Sequence, residues 1–168
     1  EIGVRLVGSE MCIRDRPVII NKAAYCNLKS GIPSNSQLIS NRAGWIINVE
    51  EGVEGAPNNL IDGKTGTDVA LNNKGFWFTV DLGEAKVLTG IKTNHWANAY
   101  APREVEILQS ENGTTWKSLS SLAISGGTQN ITFISPITTR YLKYQIITIS
   151  TNGRTDVTEF NVYEPKSE

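Results

Sequence analysis

The sequence predicts an all-β fold, an antiparallel jelly-roll β-sandwich of about eight strands. Short runs rich in β-branched and aromatic residues follow one another from about residue 44, and no amphipathic helix of useful length separates them. Turn signals lie between the runs, among them Asp62-Gly63, Asn112-Gly113 and Asn152-Gly153. Such pairs supply the positive φ angles that tight turns require. Many short strands at this spacing indicate a sandwich or a barrel.

Eight segments have the composition of strands. The segment 76–82 alternates between an apolar and a mixed face, and the denser run 140–149 is typical of a central strand covered on both faces. We expect the tryptophans within these patterns, Trp45, Trp77 and Trp116, to lie in the core. The predicted strands are Gly44–Val49, Phe76–Leu82, Val87–Thr93, Glu104–Gln109, Trp116–Leu122, Gln129–Ile134, Arg140–Ile149 and Val157–Tyr163.

The chain divides into four parts. Residues 1–16, EIGVRLVGSEMCIRDR, resemble translated sequencing-adapter DNA, and we expect them to be an artefact outside the fold; the alternative is a genuine N-terminal strand, IGVRLVG. Residues 17–36 mix short apolar runs with Asn, Ser, Gly and Pro, which predicts a linker or the tail of a preceding domain. Residues 37–164 form the predicted sandwich and 165–168 a short tail. We therefore expect a C-terminal fragment of a longer protein.

Composition excludes several classes of function. Lys and Arg number 16 against 17 Asp and Glu, without a basic cluster, which argues against nucleic-acid binding. No apolar run reaches the roughly 18 residues that a membrane span needs. A single His, and a single Cys outside residues 1–16, leave no His-rich or Cys-based metal cluster. Because nucleophile-elbow, zincin and phosphate-loop motifs are also absent, we expect the domain not to be an enzyme.

A fixed order of short motifs runs through residues 37–164. The motifs are Gly44-Trp45, the segment 58–67 (NNLIDGKTGT), the segment 76–83 (FWFTVDLG), the segment 87–93 (VLTGIKT), the segment 102–113 (PREVEILQSENG), Trp116, the segment 140–144 (RYLKY) and the segment 158–163 (TEFNVY). This order resembles the discoidin, or coagulation-factor (F5/8) type C, domain of the galactose-binding-like superfamily. Within that family it most resembles modules of surface glycan-binding lipoproteins and glycoside hydrolases of Bacteroidetes.

The resemblance implies a non-catalytic carbohydrate-binding module. Its partner would be a glycan or glycoprotein, and it would be a monomeric domain within a larger chain. It would lie outside the cell or at the cell surface, in the context of a bacterial outer-membrane lipoprotein. Two alternatives stay open, a protein-binding adhesion module and a structural spacer without a ligand. Direct membrane insertion is not expected, because the loop tips are polar and lack apolar spikes.

The resemblance also implies a structural calcium ion in the loop that begins at Asp62. Mapped by motif, the ligands are Asp62, the carbonyl of Lys64, Thr67 and Glu159 of the last strand. Calcium prefers hard oxygen ligands of this mixed kind, and the ion would tie the loop to the C-terminal strand. The alternative is a plain turn in which Asp62 caps backbone amides and Gly63 takes the left-handed conformation.

The candidate sugar site is the segment 94–100 (NHWANAY), which joins two predicted strands. Sugar recognition needs a flat aromatic ring together with fixed hydrogen-bonding groups, and loops at one end of a rigid sandwich are suited to carry them. The candidate ligand residues are His95, Trp96, Asn98, Tyr100 and Arg103. In the alternative interpretation the Trp96 ring and His95 belong to the core, and Arg103 pairs with a surface carboxylate.

Overall fold

A computed structural model describes residues 25–168, and the expectations for residues 1–16 and 17–24 lie outside this range. The all-β antiparallel sandwich is confirmed. Within the described residues, no helix has the length and apolar character of a membrane span. One 3-10 turn, Pro57–Ile61, accompanies the strands. The strands are β1 (Cys26–Lys29), β2 (Ser36–Leu38), β3 (Ile46–Val49), β4 (Val69–Asn72), β5 (Trp77–Asn94), β6 (Glu104–Ser110), β7 (Lys117–Ala123), β8 (Thr128–Thr148), β9 (Arg154–Val157) and β10 (Glu159–Pro165).

Two long strands, β5 and β8, form the centre of both layers. They pair antiparallel from Trp77 opposite Gln145 to Asn94 opposite Thr128, with interruptions in register after Asp81 and after Leu88. At the first interruption Gly83 has a φ of +82°, a conformation that an L side chain rarely adopts, and the chain turns a corner there inside β5. The first half of β5 pairs with β3, and its second half with β10. The half of β8 that pairs with the first half of β5 also pairs with β6, and the other half pairs with β1. One ladder therefore folds into two layers.

The sheet also extends to residues before 37, the predicted start of the domain. β1 pairs with β8 from Cys26 opposite Phe133 to Lys29 opposite Asn130, and β2 pairs with β10 at the other edge. Cys26 is 1% exposed, and its N–H donates to Ser120 Oγ at 2.9 Å. These strands are only four and three residues long and are flanked by Gly, Pro and Asn, so their alternation does not stand out from a linker.

A separate two-stranded sheet, β4 with β9, was missed by the strand prediction. Its register runs from Val69 opposite Val157 to Asn72 opposite Arg154. Each strand has only four residues, and the polar positions of β9 hide its alternation. This small sheet matters because it brings Asp68, which precedes β4, close to Arg154 of β9.

Aromatic rings fill the middle of the core. Phe78 stacks on Tyr144 at 5.1 Å between ring centroids, and Phe160 meets Phe78 edge-on at 5.1 Å. Both geometries are favourable for aromatic pairs. All three residues are at most 1% exposed, so they tie β5, β8 and β10 together.

The tryptophans divide between the core and the surface. Trp45 is buried as predicted. Trp77 and Trp116 are only half-buried, which corrects the prediction that they are core residues. Their rings flank the Lys143 ammonium, with Nζ 4.9 Å from the Trp77 centroid and 5.9 Å from the Trp116 centroid. Trp77 is on the outward side of β5, opposite in alternation to Phe76 and Phe78.

Candidate functional site

The loop after β5 begins with a histidine that points into the protein. The His95 side chain has no exposed surface, and its Nδ1 lies 2.6 Å from the Asp156 carbonyl oxygen. Its Nε2 lies 3.3 Å from Thr93 Oγ1. Burial lowers the pKa of His95 to about 4, although the bond to the Asp156 carbonyl opposes that shift. This corrects the prediction that His95 contacts a ligand, because the inward alternation of Ile91 and Thr93 continues through it.

The next residue, Trp96, points outward and is 56% exposed. Its indole Nε1–H donates to Asp68 Oδ2 at 3.1 Å, and its backbone N–H donates to Asp156 Oδ1 at 3.1 Å. Both anchors come from the small sheet, Asp68 just before β4 and Asp156 within β9. The indole is therefore held in one orientation although it is open to solvent.

An open pocket of about 300 Å³ lies beside this indole; we call it the Trp96 pocket. Its floor carries an ion pair in which Arg154 Nη1 lies 2.9 Å from Asp68 Oδ2 and 3.5 Å from Asp156 Oδ2. Arg154 also lies 4.0 Å from Glu54 at the rim. The lining residues are Asp68, Trp96, Tyr100, Arg154 and Asp156.

Asp156 has an unusual environment. Its side chain has no exposed surface, and its Oδ2 has no hydrogen-bond partner among the described residues. Burial raises the pKa of Asp156 to about 6, with a smaller upward effect from the charge of Asp68 and opposing effects from the Trp96 N–H and Arg154. The carboxylate is therefore ionised at neutral pH and contributes negative charge beneath the pocket.

Asn98 and Arg103 lie in a second pocket, of about 280 Å³, which we call the Arg103 pocket. Its lining residues are Asn98, Ala101, Pro102, Arg103, Ile124, Ser125 and Gly126. Asn98 Oδ1 accepts a hydrogen bond from the Gly127 N–H at 2.6 Å, which fixes the loop to the turn before β8. The structure thus divides four of the predicted ligand residues between two pockets. Trp96 and Tyr100 line the first, and Asn98 and Arg103 line the second.

The sequence interpretation missed Asp68, Arg154 and Asp156 as members of the site. One signal was available. Arg154 and Asp156 are two positions apart after the Asn152-Gly153 turn, and this spacing places two side chains on one face of a strand. Asp68 carried no comparable signal, because its position depends on the pairing of β4 with β9.

The four predicted calcium-binding residues come together in the structure. Thr67 Oγ1 donates to Asp62 Oδ2 at 2.7 Å, and the Lys64 N–H lies 2.8 Å from Asp62 Oδ1 and 3.0 Å from Glu159 Oε1. Burial, together with the nearby Asp62 charge, raises the pKa of Glu159. Its Oε2 is buried without a hydrogen-bond partner among the described residues, although Arg42 Nη1 lies 3.6 Å away.

The oxygen donors at this site suit a hard cation such as calcium. They comprise two carboxylates, a hydroxyl and the Lys64 carbonyl, which lies 3.4 Å from Thr67 Oγ1. Within residues 25–168, no group of three or more His, Cys, Asp or Glu side chains is arranged to hold a metal ion. The unpartnered Glu159 oxygen is the feature that a cation would satisfy.

These features define a β-sandwich domain with pockets built from its loops. The F5/8 type C domain model matches residues 40–160, and the chain belongs to that family. No curated protein matches the sequence.

Solved structures share the fold at low sequence identity. The family 32 CBM from C. perfringens NanJ, in complex with galactose, is 22% identical with a TM-score of 0.65 over 77% of this chain and 99% of that one. CpGH89CBM32-5 from Clostridium perfringens, in complex with GalNAc-β-1,3-galactose, is 18% identical with a TM-score of 0.65 over 75% and 99%. An F5/8 type C domain from Bacteroides fragilis is 19% identical with a TM-score of 0.67 over 80% and 100%.

Proposed function

We propose that this domain is a non-catalytic carbohydrate-binding module of a secreted or cell-surface protein, and that the sugar binds in the Trp96 pocket. The observation that carries the proposal is the exposed, fixed indole of Trp96 beside the Asp68–Arg154 ion pair. An aromatic face suits the apolar side of a sugar ring, while a guanidinium and a carboxylate supply a donor and an acceptor for neighbouring hydroxyls. The partner would be a free glycan or a glycoprotein.

Solved relatives support the ligand class. The C. perfringens modules described above were solved with galactose and with GalNAc-β-1,3-galactose. Their fold similarity to this chain makes a sugar the first ligand to test, and the Trp96 pocket gives the place to look for it.

The carboxylates of the pocket do not form an acid–base pair for glycoside hydrolysis. Such chemistry needs two carboxyl groups that both reach the scissile bond. Asp156 has the raised pKa, about 6, that a general acid needs, but its side chain has no exposed surface. Asp68 is held by Arg154 and by the Trp96 indole. We therefore propose binding without catalysis.

We also propose that a structural calcium ion binds at Asp62, the Lys64 carbonyl, Thr67 and Glu159. When bound, the ion would supply positive charge for two carboxylates that now share the Lys64 N–H. The loop 62–67 and β10 would be joined more firmly, because ligands would come from both. Arg42 donates a hydrogen bond to the Ile61 carbonyl at 2.9 Å and so fixes the backbone next to Asp62.

The test is a glycan array with the full chain, followed by calorimetric titration of the bound sugars. We expect Trp96→Ala to weaken binding at least about tenfold, equivalent to about 1.4 kcal/mol, because truncation of a central aromatic contact removes that much or more. Trp116→Ala is the matched control, since Trp116 is a half-buried tryptophan on the sheet face beside Lys143. Melting temperatures of both variants check that the fold is intact.

The alternatives predict different outcomes. Sugar binding that survives Trp96→Ala would place the site elsewhere on the domain. A folded protein that binds no glycan would contradict the proposal and favour a protein-binding adhesion module or a spacer.

A further inference from the structure

Arg103 differs from the other arginines in the described part of the chain. Residues 25–168 contain four arginines, and Arg42, Arg140 and Arg154 each lie within 4.0 Å of a carboxylate. Arg103 is exposed and has no such partner among these residues. The carboxylate of the adjacent Glu104 instead accepts hydrogen bonds from the hydroxyls of Ser121 and Thr148, both at 3.1 Å.

The base of this side chain is rigid. The Arg103 N–H donates to the Thr148 carbonyl at 2.9 Å, and its carbonyl accepts from the Ile124 N–H at 2.8 Å. Pro102, which precedes it, is buried. A guanidinium carried on a fixed backbone loses less freedom when it binds a ligand than one on a mobile loop.

The Arg103 pocket has donors and no carboxylate in its lining. Besides Arg103, its lining includes Asn98 and Ser125. Because Asn98 Oδ1 already accepts from the Gly127 N–H, the NH₂ group of the same amide remains available to donate. A guanidinium with neighbouring N–H and O–H donors is the arrangement that binds a carboxylate or a sulfate group.

The Trp96 pocket has the opposite charge. It carries two carboxylates, Asp68 and Asp156, against the single guanidinium of Arg154, and Glu54 adds a further negative charge at the rim. Because the pKa of Asp156 is about 6, this excess is present at neutral pH. An anionic group on a ligand is therefore repelled from the Trp96 pocket.

The two pockets are next to each other on one loop. Tyr100 lines the first and Asn98 lines the second. The two residues are two positions apart in the chain, so their Cα atoms are at most about 7 Å apart. Contact with both pockets would require a ligand of more than one sugar unit.

We propose that the Arg103 pocket is a second subsite that binds the carboxylate or sulfate group of an acidic glycan while an uncharged unit of the same glycan occupies the Trp96 pocket. This rests on the proposed function, because the second subsite presupposes a sugar in the first. The ligand would be an oligosaccharide in which a neutral residue is joined to an acidic one, bound in one fixed direction. Surface ion pairs are screened by salt, so the advantage of the acidic ligand falls as ionic strength rises.

The experiment measures the affinity of the full chain for neutral oligosaccharides and for their sulfated or uronate-bearing forms, lactose and sulfated lactoses among them. We expect the acidic member of a pair to bind at least fivefold more tightly at low salt. Arg103→Gln should bring the ratio of the two affinities close to one, and Arg103→Lys should retain part of it. Arg140→Gln, which removes the same charge from a residue bound to Asp81 on another part of the sheet, should retain the full ratio.

The outcomes separate this inference from the proposed function. Equal affinity for neutral and acidic glycans, or a preference for the acidic glycan that persists in Arg103→Gln, overturns the second subsite. The proposed function still holds in that case if Trp96→Ala loses glycan binding. Glycan binding that is unaffected by Trp96→Ala overturns the proposed function itself.

Discussion

Replacement of His95 tests whether this residue supports the fold or contacts a ligand. In His95→Ala, the buried carbonyl of Asp156 loses the donor that lies 2.6 Å away, and a cavity remains where the ring was. An unsatisfied buried carbonyl costs about 1–3 kcal/mol, and the cavity adds to that cost. We expect a loss of about 3 kcal/mol in the free energy of unfolding, which corresponds to a fall in melting temperature of roughly 10 °C for a domain of this size.

The asparagine variant separates the hydrogen bond from the ring. His95→Asn places an amide N–H close to the position of Nδ1, so it should recover part of the loss. In both variants, sugar affinity of the folded protein at neutral pH should remain near that of the parent, because the ring has no exposed surface. Loss of sugar binding without loss of stability would refute the structural role.

The pKa shifts of His95 and Asp156 change the free energy of unfolding with pH in opposite directions. The folded pKa of His95, about 4, lies below its ordinary value of 6.5, so the favourable contribution of the neutral ring is complete above pH 6.5 and decreases as pH falls toward 4. A shift of this size corresponds to at most about 3 kcal/mol. Asp156 works in the opposite direction, because its folded pKa is raised to about 6 and protonation between pH 6 and 4 favours the folded state.

Urea unfolding followed by tryptophan fluorescence at pH 7 and pH 5 measures this difference. We expect the free-energy difference between the parent and His95→Asn to narrow at pH 5, because the imidazole is protonated in the unfolded parent and must lose that proton when the protein folds. A gap of the same size at both pH values would refute the neutral, buried state of His95.

The remaining predictions concern the calcium loop and the space around two glycines. Addition of calcium should raise the melting temperature of the full chain, and the increase should grow with the logarithm of the calcium concentration above the dissociation constant. Glu159→Gln should abolish that increase, while Glu84→Gln, an exposed control, retains it. A melting temperature that does not respond to millimolar calcium or to chelator would contradict the calcium proposal. Gly75→Ala should destabilise the fold by more than about 3 kcal/mol, because its Cβ would lie 2.3 Å from the Ile146 carbonyl oxygen. Gly66→Ala, where a Cβ meets nothing within 4 Å, should change the unfolding free energy by less than about 0.5 kcal/mol in the same thermal or urea assay.

Features of the fold that depend on a few consecutive residues could be predicted from the sequence. Alternation at Phe76–Leu82 and the turn pairs indicated the sandwich, because a period of two and a positive φ are both properties of a few consecutive residues. The cluster of Asp62, Lys64, Thr67 and Glu159 came from the order of family motifs, and the structure brings these residues together.

The features that depend on long-range pairing were not predictable in the same way. Asp68 joins the Trp96 pocket only because β4 pairs with β9, which lies more than eighty residues later. The separation of Trp96 from Arg103 depends on the loop turn, which the bond between Asn98 and the Gly127 N–H fixes. The burial of His95 could have been predicted, because His95 continues the inward-facing positions of β5. The polar composition of the loop concealed this alternation.

The strand registers have a consequence for how such a domain can be carried. Glu159 lies opposite Asn94, at the loop end of the sandwich, and β10 runs from there to Pro165, about 20 Å away at the rise of an extended strand. Cys26 lies opposite Phe133, similarly far along β8 from Thr128. Both points therefore lie away from the end of the sandwich that carries the two pockets. A domain attached through either point would leave both pockets open to solvent.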